Sequence, residues 1–114
     1  MSSFLNRIDE FLDSNKLNEI GTVCRLADGY GMIIVVYSDD HAPAHAHILN
    51  KDRKEIGKFE ITKNKPNTIN DIIEVQCEIP IEFKKKIFKW SQSKTRFNIS
   101  TWKNLQIAWD LLHD

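Results

Sequence analysis

Apolar residues recur with helical spacing near both ends of the chain. Close to the N-terminus, five apolar side chains share one helical stripe: Phe4, Leu5, Ile8, Phe11 and Leu12. This stripe predicts a helix over about residues 3–14. Similar spacing predicts two further helices, one after Pro80 and one after Ser100.

The region between these helices has the patterns of β-strands. Residues 32–37 are consecutive apolar residues rich in β-branched side chains, which predicts a central strand covered on both faces. Residues 73–79 alternate apolar and polar side chains, which predicts a strand with one face in the core. Shorter patterns predict strands over 22–27, 45–49 and 55–62, with connections too short for parallel crossovers.

These patterns together predict the α+β fold class. We expect a meandering antiparallel sheet of about four to five strands, with an N-terminal helix and two C-terminal helices packed on it. A chain of 114 residues with 41% hydrophobic content suits one domain, so we predict a single domain over residues 1–114. Residues 1–20 would be a helical extension of that domain.

Composition and charge narrow the function classes. The formal net charge is zero, which disfavours a strongly basic nucleic-acid binder. The two cysteines are far apart and do not have the spacing of a zinc ribbon or a thioredoxin motif. The N-terminal segment does not resemble a signal peptide, and no apolar run is long enough to span a membrane. We therefore expect a soluble cytoplasmic protein.

Three of the four histidines lie within seven positions after the apolar run 32–37. His45 and His47 are two residues apart, so both imidazoles leave the same face if the chain is extended there. Pro43 fixes its own φ and disfavours a helix before it. It therefore predicts a bend that returns His41 toward the other two. We call His41, His45 and His47 the histidine cluster.

Three interpretations of the histidine cluster are open. In the first, His41, His45 and His47 are ligands of zinc or another first-row divalent ion, and Asp39 or Asp40 is a carboxylate ligand or an orienting group. In the second, the three histidines are catalytic without a metal, one accepting a proton and another donating one. In the third, the aspartates cap the turn and the histidines hydrogen-bond the nearby backbone.

A basic segment follows Pro80. It places four lysines on the helix predicted there: Lys84, Lys85, Lys86 and Lys89. The neighbouring aromatic residues have core spacing, so the simplest interpretation is a solvated helix face. The alternative is a surface that contacts nucleic acid or an acidic protein partner.

The segment Tyr37 to Ile48, YSDDHAPAHAHI, resembles the YSDDHxPPHxHV signature of the domain-of-unknown-function family 4160. The likeness runs over about residues 22–114, with Ala44 in place of the usual second proline and a longer N-terminal helix. Members of the family look like small cytoplasmic bacterial proteins encoded beside another small protein, an arrangement similar to toxin–antitoxin pairs. The resemblance implies a partner for this chain and names no reaction.

We therefore predict a partner-binding or regulatory component of a toxin–antitoxin-like pair. Its partner would be a small protein or a second copy of the chain, with nucleic acid as the alternative and no membrane. The alternative function is a metal-dependent or histidine-based nuclease or other phosphodiester hydrolase, with the basic helix steering the substrate. The sequence holds no Gly-rich phosphate loop, no G-x-S-x-G and no H-E-x-x-H.

Overall fold

An antiparallel meander forms the sheet of the protein, whose computed structural model describes residues 23–25 and 30–113. The four strands lie in chain order: β1 (Val23–Arg25), β2 (Ile33–Tyr37), β3 (His45–Leu49) and β4 (Glu55–Glu60). Strands β2, β3 and β4 make a three-stranded body, and the short β1 pairs along the outer edge of β2. The β-branched run predicted as a central strand is therefore confirmed, because β2 has a partner on each side.

Successive side chains of β2, β3 and β4 point to two different faces of the sheet. One face, called the core face, carries apolar side chains that expose 0% of their surface: Ile34, Val36, Ala46, Ile48 and Phe59. The opposite face, called the histidine face, carries the residues between them: Val35, Tyr37, His45, His47 and Lys58. The same strands thus supply both a hydrophobic core and a row of polar groups.

Two helices cover the core face: α1 (Ile81–Ser91) and α2 (Thr101–Leu112). The Ser100 hydroxyl caps α2 by accepting a hydrogen bond from the Lys103 N–H at 3.4 Å. The Trp102 ring packs on Phe59, and its indole N–H donates to the Thr62 carbonyl at 3.0 Å. The helices predicted after Pro80 and Ser100 are confirmed. Neither helix of the described chain is long and apolar enough to cross a membrane.

Residues 73–79 do not form the predicted strand. Backbone hydrogen bonds join them to β4 only around one isolated bridge, between Glu74 and Phe59. The chain then turns, because Gln76 adopts a φ of 67° and the Glu74 carboxylate accepts a hydrogen bond from the Ile79 N–H at 2.5 Å. Ile73, predicted to face the core, is 46% exposed. The apolar–polar alternation here marks an irregular turn.

The fold prediction is therefore wrong in its details. In the described residues, the sheet has the three-stranded body and the edge strand β1, and the fifth strand is replaced by irregular chain. The predicted helix over residues 3–14, and the extension over residues 1–20, lie outside the described residues. The two helices after the sheet pack on one face of it, and the opposite face carries the histidines.

Candidate metal centre

Strand β3 places His45 and His47 side by side on the histidine face. Ala46 between them points to the core face, as the two-residue period of a strand requires. The centroids of the two imidazole rings are 5.2 Å apart. The prediction that the two histidines share a face is therefore confirmed.

Asp40 brings a carboxylate to the two imidazoles. The chain turns directly after β2, where the Asp40 N–H donates to the Tyr37 carbonyl at 3.4 Å, and the Ala42–Pro43 peptide bond is cis. Asp40 Oδ2 lies 2.7 Å from His47 Nε2 and 3.4 Å from His45 Nε2. The ligand atoms of these three residues all lie within 4.8 Å of one another. Asp40, His45 and His47 could therefore hold a metal ion, and we call them the metal site.

The other ring nitrogen of each histidine is already engaged. His45 Nδ1 is 2.9 Å from the Pro43 carbonyl oxygen, which can only accept, so Nδ1 carries the hydrogen. His47 Nδ1 is 2.5 Å from Glu55 Oε1, a carboxylate oxygen. Both rings therefore direct Nε2 toward Asp40. A metal ion at that point would take the place of the hydrogen shared between His47 Nε2 and Asp40 Oδ2.

The charge around the site is negative. Tyr37 packs edge-on against His47, with ring centroids 4.7 Å apart. Partial burial raises the pKa of the Tyr37 phenol, and the carboxylates of Glu55, Asp40 and Asp39 raise that pKa further. The phenol is therefore neutral near pH 7. The nearby carboxylates of Glu55, Asp40 and Asp39 favour a bound cation over a bound phosphate.

Aromatic rings from the end of α2 border the site. Trp109 lies 5.6 Å from His45, centroid to centroid, and its other side stacks on His113 at 3.6 Å. The His113 Nδ1–H donates to the Trp109 carbonyl at 2.8 Å, so this histidine closes the C-terminal turn of α2. His113 thus supports the wall beside His45.

The structure separates the predicted ligands into two groups. His45 and His47 converge, and the carboxylate that joins them is Asp40, the second of the two aspartates that we considered. Asp39 and His41 are exposed to solvent and are outside the metal site. The bend at Pro43 therefore does not bring His41 back to the other imidazoles.

Sequence reasoning missed Glu55. It belongs to β4 and is eight residues from His47, and its side chain reaches the imidazole only through the pairing of β3 with β4. A lone glutamate at the start of a strand carries no distinguishing pattern. The signal that could have found it is the hairpin itself, since a polar turn joins β3 to β4.

The lysines of the basic segment lie elsewhere. Helix α1, which carries Lys84, Lys85, Lys86 and Lys89, packs on the core face. Lys86 Nζ lies 4.8 Å over the Phe83 ring, and Lys84 Nζ is 4.0 Å from a Glu74 carboxylate oxygen. In the described residues, no hydrogen bond or ion pair joins these lysines to the metal site. The structure thus does not bring the basic helix to the histidines.

Comparisons with protein-family models, with curated proteins and with solved structures find no match to this chain. The resemblance of its histidine motif to family 4160 therefore stays a prediction. What the site can do has to be argued from its own atoms.

Proposed function

We propose that the protein binds one divalent first-row metal ion, such as zinc, through Asp40 Oδ2, His45 Nε2 and His47 Nε2. The observation that carries this proposal is the convergence of the two Nε2 atoms on one carboxylate oxygen. Two imidazoles and a carboxylate are a common ligand set for zinc and for other first-row ions. Each imidazole also has its Nδ1–H anchored, as metal-bound histidines almost always do.

Two of the three distances between the ligand atoms are close to those around a bound ion. Ligands bound at about 2.0–2.2 Å in tetrahedral geometry lie about 3.3 Å from one another. The separation between Asp40 Oδ2 and His45 Nε2 is already 3.4 Å. The separation between Asp40 Oδ2 and His47 Nε2 is 2.7 Å, so the carboxylate has to withdraw by a fraction of an ångström. Asp40 is on a turn with 19% of its side chain exposed, and such a shift disturbs no packed core.

Three protein ligands leave at least one coordination position for water or a substrate, which is typical of catalytic zinc sites. A bound ion would lower the pKa of that water and make it a nucleophile. The alternative of metal-free acid–base catalysis on a phosphodiester has less support, because the carboxylates of Asp40 and Glu55 flank the imidazoles and would repel a phosphate. Metal binding is thus the function that the geometry supports best.

The partner-binding role in a toxin–antitoxin-like pair rests on the motif resemblance. It predicts that a second small protein co-purifies with this chain from its native host. Metal binding is independent of that role, because every proposed ligand atom belongs to one chain.

The test is calorimetric titration of tag-free, chelator-treated protein with zinc, manganese and nickel. We expect one zinc ion per chain. His47→Ala should lower the zinc affinity by more than about 100-fold, because even outer-shell partners contribute about 10- to 100-fold. The matched control is His41→Ala, which removes an exposed imidazole outside the metal site and should leave the affinity unchanged. The absence of binding by the wild-type protein, or equal losses in the two variants, would overturn the proposal.

A further inference from the structure

The ladder between β3 and β4 contains one extra residue beside the metal site. The strands pair regularly from His45 opposite Glu60 as far as Ile48 opposite Gly57. The next pair is Leu49 with Glu55, so the register shifts by one residue. Ile56 is the residue left without an opposite, which is the arrangement of a β-bulge.

The bulge decides which face receives Glu55. In an unbroken ladder, Ile56 would lie opposite Leu49 on the histidine face, and Glu55 would point toward the core face. With the bulge, the side chain of Ile56 packs against the hydrophobic core instead. The Glu55 carboxylate lies on the histidine face, 2.5 Å from His47 Nδ1. A one-residue irregularity therefore places an acidic group where a regular strand would place an isoleucine.

We propose that Glu55 is a positioning residue of the metal site, an inference that rests on the proposed function. By accepting the Nδ1–H of His47, Glu55 fixes the tautomer and the orientation of that ring. Nε2 then faces the position of the ion before the ion arrives, and it gives up the hydrogen that it shares with Asp40 when the ion binds. The negative charge of the carboxylate also makes the imidazole a stronger donor to the metal.

The two histidines are anchored in different ways, and this difference makes the proposed role of Glu55 testable. His45 is held by the Pro43 backbone carbonyl, which a side-chain substitution does not remove. His47 is held by a side chain that is 43% exposed, so water can take the place of the Glu55 carboxylate beside Nδ1 when that residue is replaced. The described fold should therefore survive the substitution.

The experiment compares Glu55→Ala and Glu55→Gln with the wild-type protein in zinc titrations. We expect Glu55→Ala to lower the zinc affinity by about 10- to 100-fold. Glu55→Gln should lose less zinc affinity than Glu55→Ala, because the amide oxygen still accepts the Nδ1–H of His47. The matched control is Glu60→Gln, which removes a carboxylate opposite His45 and should change the affinity little.

A second readout separates positioning from a merely structural role. Proton–nitrogen correlation spectra of the imidazole rings report which nitrogen carries the hydrogen. In the zinc-loaded wild-type protein, His47 should be the pure Nδ1–H form with Nε2 on the metal. In Glu55→Ala, the free protein should carry the His47 hydrogen on Nε2, where Asp40 still accepts it. A loss of stability alone would shift the melting temperature and leave the His47 tautomer as it is.

The outcomes distinguish this inference from the proposed function. Zinc binding by the wild-type protein with an equal affinity and an unchanged His47 tautomer in Glu55→Ala would overturn the role of Glu55 and leave the metal site standing. A loss in Glu60→Gln as large as that in Glu55→Ala would replace positioning by a general effect of surface charge. The absence of zinc binding by the wild-type protein would overturn both proposals.

Discussion

The two faces of strand β3 differ in what holds their side chains in place. On the core face, Ala46 and Ile48 are excluded from water by the helices, and any apolar side chain of the right volume would serve there. On the histidine face, each nitrogen of His47 has a specific carboxylate oxygen within hydrogen-bonding distance. The comparison teaches that side-chain volume determines which residues fit on the core face. The direction of hydrogen bonds determines which residues fit on the histidine face.

This difference predicts that the two faces respond to different perturbations. A truncation on the core face removes buried apolar surface and leaves a cavity, so it should lower the free energy of unfolding whatever the solution conditions. A change on the histidine face alters polar pairs that are near solvent, so its effect should depend on metal and on pH. Four measurements test this difference between the two faces.

The largest effect on stability should come from Ile48→Ala. Ile48 exposes 0% of its surface, so we expect a loss of about 3–4 kcal/mol in the free energy of unfolding. Urea denaturation followed by circular dichroism measures this loss. The matched control is Leu49→Ala, on the histidine face of the same strand, where we expect about 1 kcal/mol because that side chain is partly exposed. Equal losses would show that the two faces are packed alike.

Zinc should stabilise the protein only through the histidine face. At a free zinc concentration of about 100 times Kd, the wild-type protein should gain about 2.7 kcal/mol in the free energy of unfolding. His47→Ala should gain nothing, because the variant lacks a ligand, while Ile48→Ala should gain as much as the wild-type protein. Thermal melts with and without zinc check both statements. A gain in His47→Ala would place the ion elsewhere.

A smaller loss should follow from Gly57→Ala on the core face. A Cβ at Gly57 would lie 2.9 Å from the Cγ1 atom of Ile79, a side chain that is 4% exposed and has little room to withdraw. We expect a loss of about 1–2 kcal/mol in the free energy of unfolding, measured in urea. Lys58→Ala, the neighbouring position on the opposite face, is the control and should cost less. A higher free energy of unfolding for Gly57→Ala would mean that the Ile79 side chain moves aside at little cost.

The smallest effect should be the pH dependence contributed by Tyr37. Its pKa in the folded protein is raised, so above about pH 10 the unfolded chain loses the phenol proton first. The free energy of unfolding of the wild-type protein should therefore fall as the pH rises from about 10 toward the folded-state pKa. Tyr37→Phe should fall less steeply over the same window.

Urea unfolding between about pH 9 and pH 11 measures the two slopes. The control is Tyr30→Phe, which removes a phenol that hydrogen-bonds to Ser93 at 2.9 Å, away from the carboxylates of the metal site. Parallel curves for the wild-type protein and Tyr37→Phe would show that neither burial nor the nearby carboxylates raise the pKa of the Tyr37 phenol.

The local patterns of the sequence were sufficient to predict the elements whose apolar side chains are buried in the core. The helical stripe that became α2 presents one face to the core, and the continuous β-branched run that became β2 is buried at three successive residues. Residues 73–79 show the limit of this reasoning. Their alternation is as regular as that of a strand, but the left-handed backbone of Gln76 turns the chain away from β4.

The metal site was predictable in part for the same reason. His45 and His47 share a face because of the strand period, which depends on sequence spacing alone. The positions of His41 and Asp40 depend on the path of the turn after β2, which spacing does not determine. The position of the Glu55 carboxylate depends on a shift of register in a hairpin. A single extra residue leaves no periodic pattern in the sequence that could predict this shift.

In the described residues, the polar groups bonded to His47 and both of the ligands that accompany it come from the β3–β4 hairpin and the turn before it, residues 40–60. This segment could therefore be transferred to another protein as a unit. A protein engineer could graft this hairpin, with its bulge at Ile56, onto the edge of another antiparallel sheet. The graft would need an apolar surface below Ala46 and Ile48 and would bring its own ligands and the anchor of His47. Inserting one residue between Glu55 and the bulge should then work as an off switch, because the glutamate would turn to the wrong side of the sheet.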